Sequence, residues 1–377
     1  MSKTNWDDKA FVLEKVQKDI YALRYVSKRL RDDEEVVKIA VQMDSFNLEF
    51  ASDRLKDNES IVMATVRQSG STLKYVSDRL KDNEEIVLAA IKQDGRFLFY
   101  ASDRLKDNEE IVLSAVNQNG ITLVYASDRL KDDEAIVLVA VSHTGYSLEF
   151  ASDRLKDNEA IVLSAIKQDG RSLKYASDRL KDNEAVVLVA VNQNIDSLYY
   201  ASKRLKDNES IVLSAVNQNA SSLEYASKRL QDDKVVVLAA VSKNGFTLKY
   251  ASKRLKDNEA VVLAAVNQNA RSLEYASDRL RDDKGIVMAA VSQNGLSFKY
   301  ASDRLRSDID FCIECAKKNP GSIAYFLGKA KKIFEVHHND IVAVEEQQQN
   351  KANEALLKNY PMVKLLSPLI SYLKGNY

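Results

Sequence analysis

Cysteine, proline and glycine are all scarce in this chain, whose 377 residues include 2 Cys, 3 Pro and 11 Gly. Two cysteines cannot build a disulfide framework, which points to a reducing compartment. Chain-breaking residues are too few for a β-rich or loop-rich protein of this length, so helix is favoured. No apolar run reaches the roughly 18 residues that a membrane-spanning helix needs. The opening, MSKTNWDDKAFVLEKV, lacks the basic flank and unbroken apolar segment of a secretory signal. A soluble cytoplasmic protein is expected, or one exported by a route that reads no such signal. Charge of one sign is missing too: Lys plus Arg and Asp plus Glu stand at 55 each. No global field therefore draws the chain to nucleic acid or an anionic membrane.

What the chain has in abundance is repetition. The residue opening an L-x-Y/F motif recurs at Leu23, Leu48, Leu73, Leu98, Leu123, Leu148, Leu173, Leu198, Leu223, Leu248, Leu273 and Phe298. The spacing is 25 throughout, and a degenerate copy follows at Ile323.

Each unit reads as two short helices. Asp107-Asn108-Glu109-Glu110 supplies a cap and acids for the positive end of the first, and Ile111, Val112, Ala115 and Val116 give it an apolar face. Asn119-Gly120 closes it, with glycine expected in a left-handed turn. A Ser or Thr before the repeat leucine, such as Thr122 or Ser147, is expected to cap the second helix, whose face carries Leu123, Ala126 and Leu130. The Ile-Val pairs also suit strands, but the acidic caps, the alanines and the segment length favour helix. Helices this short are not stable alone in water, so they must stack.

The expected fold is all-α, an α-solenoid of about twelve two-helix, 25-residue repeats with a helical C-terminal cap. Residues 1–22 form a capping half-repeat, 23–322 the tandem repeats, and 323–377 a degenerate repeat and cap. Trp6 is placed to close the N-terminal end. Longer helices are expected over 322–336, 341–358 and 362–374, with breaks at Pro361 and Pro368. The leucine-rich stretch from Leu356 to Leu373, interrupted by Lys364, suits a cap better than a membrane span.

The pattern L-x-Y-A-S-x-R-L-K-D-N-E-x-I/V-V-L-x-A-V-x-Q-N-G resembles the bacterial domain-of-unknown-function 4116 repeat family over about residues 8–325. It is carried by segments such as Tyr175-Ala176-Ser177 and the run from Val112 to Gly120. The resemblance implies helical repeats, often in bacteria living inside amoebae or macrophages, some being candidate secreted effectors delivered into a host cell. It implies no shared catalytic activity, and it brings no functional residues. The two-helix rhythm is also similar to leucine-rich variant repeats, whose cysteine-rich metal cluster has no counterpart here.

Ser102, Arg104 and Asp107 look like chemistry, but the cluster recurs in nearly every copy, whereas an active site is built once. An inter-repeat role follows, each Arg meeting a carboxylate of its own or the adjacent unit. Cys312-Ile313-Glu314-Cys315, with His337-His338 downstream, invites a metal or redox reading. One period earlier, however, Cys312 and Cys315 fall on the core positions Val287 and Ala290, which favours packing. His143 stands where neighbours have glutamine and reads as drift. The ladder of Gln168-Asp169, Gln193-Asn194 and Gln218-Asn219 varies too little to encode a nucleic-acid sequence and is assigned to helix ends at solvent. No cofactor, metal or catalytic residue is implied, and the expected protein is a monomer and not an enzyme.

Recognition should lie where the copies differ. Phe97, Phe99, Ile121, Val124 and Tyr146 place five apolar side chains on three consecutive layers beside the buried stripe. They either form a protein or peptide interface or fold back as packing. The residue before the repeated Arg is Asp from Asp53 through Asp178, becomes Lys at Lys203, Lys228 and Lys253, and returns to Asp at Asp278 and Asp303. This basic block either orients a partner or is a solvated face copied by duplication. The leading expectation is a binding scaffold for a protein or peptide, with a nucleic-acid-binding solenoid as the alternative.

Overall fold

A computed structural model of the chain describes residues 5–336. The chain divides into two compact units, Met1–Ala201 and Ser202–Tyr377. Each is an all-α stack of repeats, and no β-strand occurs among the described residues.

The repeat around Leu123 shows how the sequence builds the unit. Asn108 caps the helix Glu109–Gln118, its side-chain oxygen accepting from the N–H of Ile111 at 3.1 Å. Glu109 and Glu110 occupy the first turn, where the helix dipole favours negative charge. Ile111, Val112, Ala115 and Val116 are buried together, as the spacing predicts. Within each unit this helix packs on its neighbours one repeat away, as Glu109–Gln118 does on Glu134–His143. Burying a Val, Ile or Leu side chain is worth about 1.5–3 kcal/mol, and each layer is completed only by the next.

The second expected helix is divided. A 3-10 helix, Gly120–Tyr125, is followed by two extended residues, Ala126 and Ser127, and then by a single α-turn, Asp128–Lys131. Leu123, Ala126 and Leu130 are buried as expected, yet on three pieces. The break arises because Ser127 turns its N–H to the carbonyl of Lys106 in the preceding repeat, at 2.9 Å. Its hydroxyl oxygen caps the following turn, accepting from the N–H of Leu130 at 3.3 Å.

Two local expectations are corrected. Thr122 and Ser147 cap nothing: both are buried, and Thr122 donates to the carbonyl of Asn119 at 2.8 Å. Asn119 does the capping, accepting from the N–H of Ile121. Gly120 is not left-handed, since Gly328 is the one positive-φ residue among those described. It is glycine because of close approach, a Cβ there standing 2.2 Å from the carbonyl oxygen of Ala140 and 2.8 Å from the Ser147 hydroxyl.

At the N-terminal end, Asp8 caps the helix Lys9–Lys18. Trp6 lies against it, its ring 5.5 Å from Phe11 and 5.7 Å from Tyr25. At the other end the expected helix over 322–336 is again divided, into the 3-10 helix Pro320–Tyr325 and a helix from 328 to 336. His337, His338, Pro361, Pro368, the expected helices over 341–358 and 362–374 and the stretch from Leu356 to Leu373 lie outside the described residues.

Candidate interaction surfaces

Ser102 and Arg104 meet on one carboxylate of the preceding repeat. Arg104 donates through Nε to both carboxylate oxygens of Asp82, at 2.9 and 3.0 Å, and through Nη2 to its backbone carbonyl at 2.7 Å. Nη1 reaches Glu84 at 2.9 Å, and the Ser102 hydroxyl donates to the same Asp82 oxygen. The Ser102 hydrogen bond is the largest cause holding Asp82 below the ordinary carboxylate range; burial opposes it and Arg104 adds to it. Asp107 is therefore not the partner of Arg104. It receives Ser127 and Arg129 of the next repeat, and capping falls to Asn108. The arrangement recurs in the second unit, for example from Arg254 to Asp232 at 3.0 Å. These groups are half exposed, with Arg104 at 55% and Asp82 at 41%. Solvent screens such pairs, so their shape, a planar fork on two oxygens, fixes register more than it supplies energy.

A second connection between layers is the glutamine that the sequence assigned to solvent. Gln93 accepts from the N–H of Gly70 at 2.8 Å and donates to the carbonyl of Val66 at 2.6 Å, fastening the preceding helix end. Gln118 on Gly95, Gln193 on Gly170 and Gln268 on Gly245 repeat the contact. The available signal was register: each glutamine follows its glycine by 23 residues.

The variable edge is mixed. Phe97 turns inward: it is half-buried, and its ring fills the space a Cβ on Gly70 would occupy, 2.7 Å away. Phe99, Ile121 and Tyr146 are exposed at 54%, 41% and 47%, and Val124 is half-buried. The exposed rings rest on the repeat tyrosines. Phe99 lies edge-on to Tyr125 at 5.3 Å, and Tyr146 to Tyr175 at 5.0 Å. The same loop position makes the same contact at Phe46–Tyr75 and Phe246–Tyr275. Glu149 and Tyr175 beside it push the Tyr146 hydroxyl above the ordinary tyrosine range, keeping it a neutral donor. Lysines after the repeat leucine lie over these tyrosines, with Lys74 Nζ 4.5 Å from the Tyr75 centroid and Lys174 5.1 Å from that of Tyr175. Leu113, Leu138 and Leu263, each on the long helix of its repeat, are exposed as well.

Lys203, Lys228 and Lys253 are all exposed, each opening the segment that follows its repeat serine, in the second unit. At the equivalent position in the first unit, Asp103, Asp153 and Asp178 project completely into solvent.

Cys312 and Cys315 are fully buried on the helix Ile309–Lys318. Burial is the main cause pushing each thiol up to about 12. No group of three or more His, Cys, Asp or Glu among the described residues is arranged to hold a metal ion.

Stacked repeats with recurrent joints define the class: an all-α tandem-repeat scaffold. The chain belongs to the family described as Domain of unknown function (DUF4116), whose model matches residues 8–56, 58–106, 108–156, 158–206, 208–256, 233–281, 258–302 and 283–328. Each match covers nearly two of the 25-residue units, so the family's module is a pair of repeats. No curated protein and no solved structure gives a match. No helix among the described residues is long and apolar enough to cross a membrane.

Proposed function

We propose that this chain is a non-enzymatic scaffold, monomeric and working in a cytoplasm, that binds a protein or peptide along the edge bearing Phe99, Ile121, Val124 and Tyr146. The observation that carries this reading is that Phe99 and Tyr146 stay half exposed while their positions are fixed by Tyr125 and Tyr175. A ring already held in place loses little freedom on binding, which favours it as an anchor. The test compares partner capture by wild type and a Phe99→Ala, Tyr146→Ala double variant, with identification of what is bound. Equal recovery removes the edge from the proposal.

A second reading, nucleic-acid binding, is favoured by the exposed lysines at Lys203, Lys228 and Lys253. It predicts retention on an oligonucleotide column at low salt that falls steeply as salt rises. Passage through the column at low salt disposes of it.

A further inference from the structure

A recess of about 420 Å³ lies within the second unit, lined by Glu224, Lys228, Lys249, Tyr250 and Lys256 among others. Three lysines and one carboxylate line it, with the Lys249 ammonium over the Tyr250 ring, 4.4 Å from its centroid. We propose that this recess is an oxyanion site for a phosphate monoester group, with Lys228, Lys249 and Lys256 as its donors.

Two departures from the repeat consensus coincide at this place. In most repeats the residue before the repeated Arg is Asp, and the residue three positions on is Lys; the two pair loosely, as Asp103 does with Lys106 at 3.9 Å. Here they are Lys228 and Gln231. Gln231 is buried and donates to the carbonyls of Leu223 and Glu224, both at 3.1 Å. That duplicates the reach of Lys256 to the carbonyl of Lys249, at 2.6 Å, without a charge. Its side-chain oxygen is thereby left to accept from Lys228 Nζ at 2.9 Å, holding that lysine in place.

Lys228 and Lys256 are thus each fixed by one neutral oxygen, and an ammonium has three donors. Lys256 has no acid at the usual position, because residue 253 is also Lys. Burial, and after it the charge of Lys228, hold Lys256 below the ordinary lysine range. An anion in the recess relieves both penalties. Three ammonium groups against one carboxylate match the charge of a phosphate monoester, roughly −1.5 to −2. Its three terminal oxygens also suit three donors better than the two oxygens of a carboxylate. The aromatic edge belongs to the other unit, so each proposal stands or falls without the other.

The test titrates inorganic phosphate into the full chain at fixed ionic strength, with binding followed by calorimetry. One saturable site is expected. Lys228→Asp, which restores the residue found in most repeats, weakens it about tenfold or more, whereas Lys203→Asp, in the same column but outside the recess, leaves it unchanged. Circular dichroism verifies that both variants are folded. Undiminished binding by Lys228→Asp, equal loss with Lys203→Asp, or no saturable site overturns the proposal. A phosphoserine peptide then separates two sources of the group: tighter binding than phosphate assigns a phosphorylated chain, and equal binding assigns the free ion.

Discussion

Arg129 follows Asp107 by 22 residues and grips it at two points, through Nε to the carboxylate at 3.0 Å and through Nη2 to the backbone carbonyl at 2.6 Å. Only a guanidinium presents donors in this planar arrangement. Arg129→Lys is therefore expected to lower the thermal midpoint almost as far as Arg129→Ala. Asp103→Asn, on a fully exposed carboxylate, leaves it unchanged. Melting followed by circular dichroism checks the series.

The joint also sets a pH dependence. Asp82, Asp107 and Asp132 are all held below the ordinary carboxylate range, with a serine hydroxyl the largest cause in each. A carboxylate with a lower pKa folded than unfolded contributes stability that is complete above about pH 4 and is lost as pH falls through the folded value. Urea midpoints measured against pH should hold level near neutrality and drop in acid. Asp107→Asn should be less stable at neutral pH and lose less on acidification.

Core and outer leucines of one repeat should behave differently. Leu123 is completely buried, whereas Leu113 is 37% exposed. Leu123→Ala is expected to cost about 2–5 kcal/mol. Leu113→Ala should stay within about 0.5 kcal/mol. Chemical denaturation of the two variants provides the comparison.

Gly120→Ala places a methyl group against the Ala140 carbonyl. Overpacking of this kind costs about 1–3 kcal/mol. Alanine already occupies the equivalent positions 220 and 270, both buried. Ala270→Gly should therefore change stability by less than Gly120→Ala, again by denaturation.

The buried thiols of Cys312 and Cys315, pushed up to about 12, carry almost no thiolate at neutral pH. A thiol reagent should modify them slowly in the native protein and at once in denaturant. Fast native modification would place them in an accessible site.

The stacking of helices was legible because it rests on periodicity: the buried face at Ile111, Val112, Ala115 and Val116 follows from spacing alone. The break before Asp128 was not, because Ser127 hands its N–H to Lys106, a choice made between repeats rather than within one. The same limit explains Gly120, read as a turn residue when its neighbour was a carbonyl 20 positions on. The candidate edge was half legible. Its exposed members Phe99 and Tyr146 follow from variation, but Phe97, in a column of small buried residues, has an inward direction that only the packing against Gly70 reveals.

Within each unit the joint asks the same of successive full repeats: an Asp from the repeat before, a Ser and an Arg from the repeat after, as at Asp82 and Asp107 in the first unit and Asp232 in the second. Repeats are therefore interchangeable parts, and a duplication or deletion of one whole period leaves matching ends on either side. Such a gene can lengthen or shorten by recombination between its own copies without crossing an unfolded intermediate, while substitutions at the free positions give each copy a separate history.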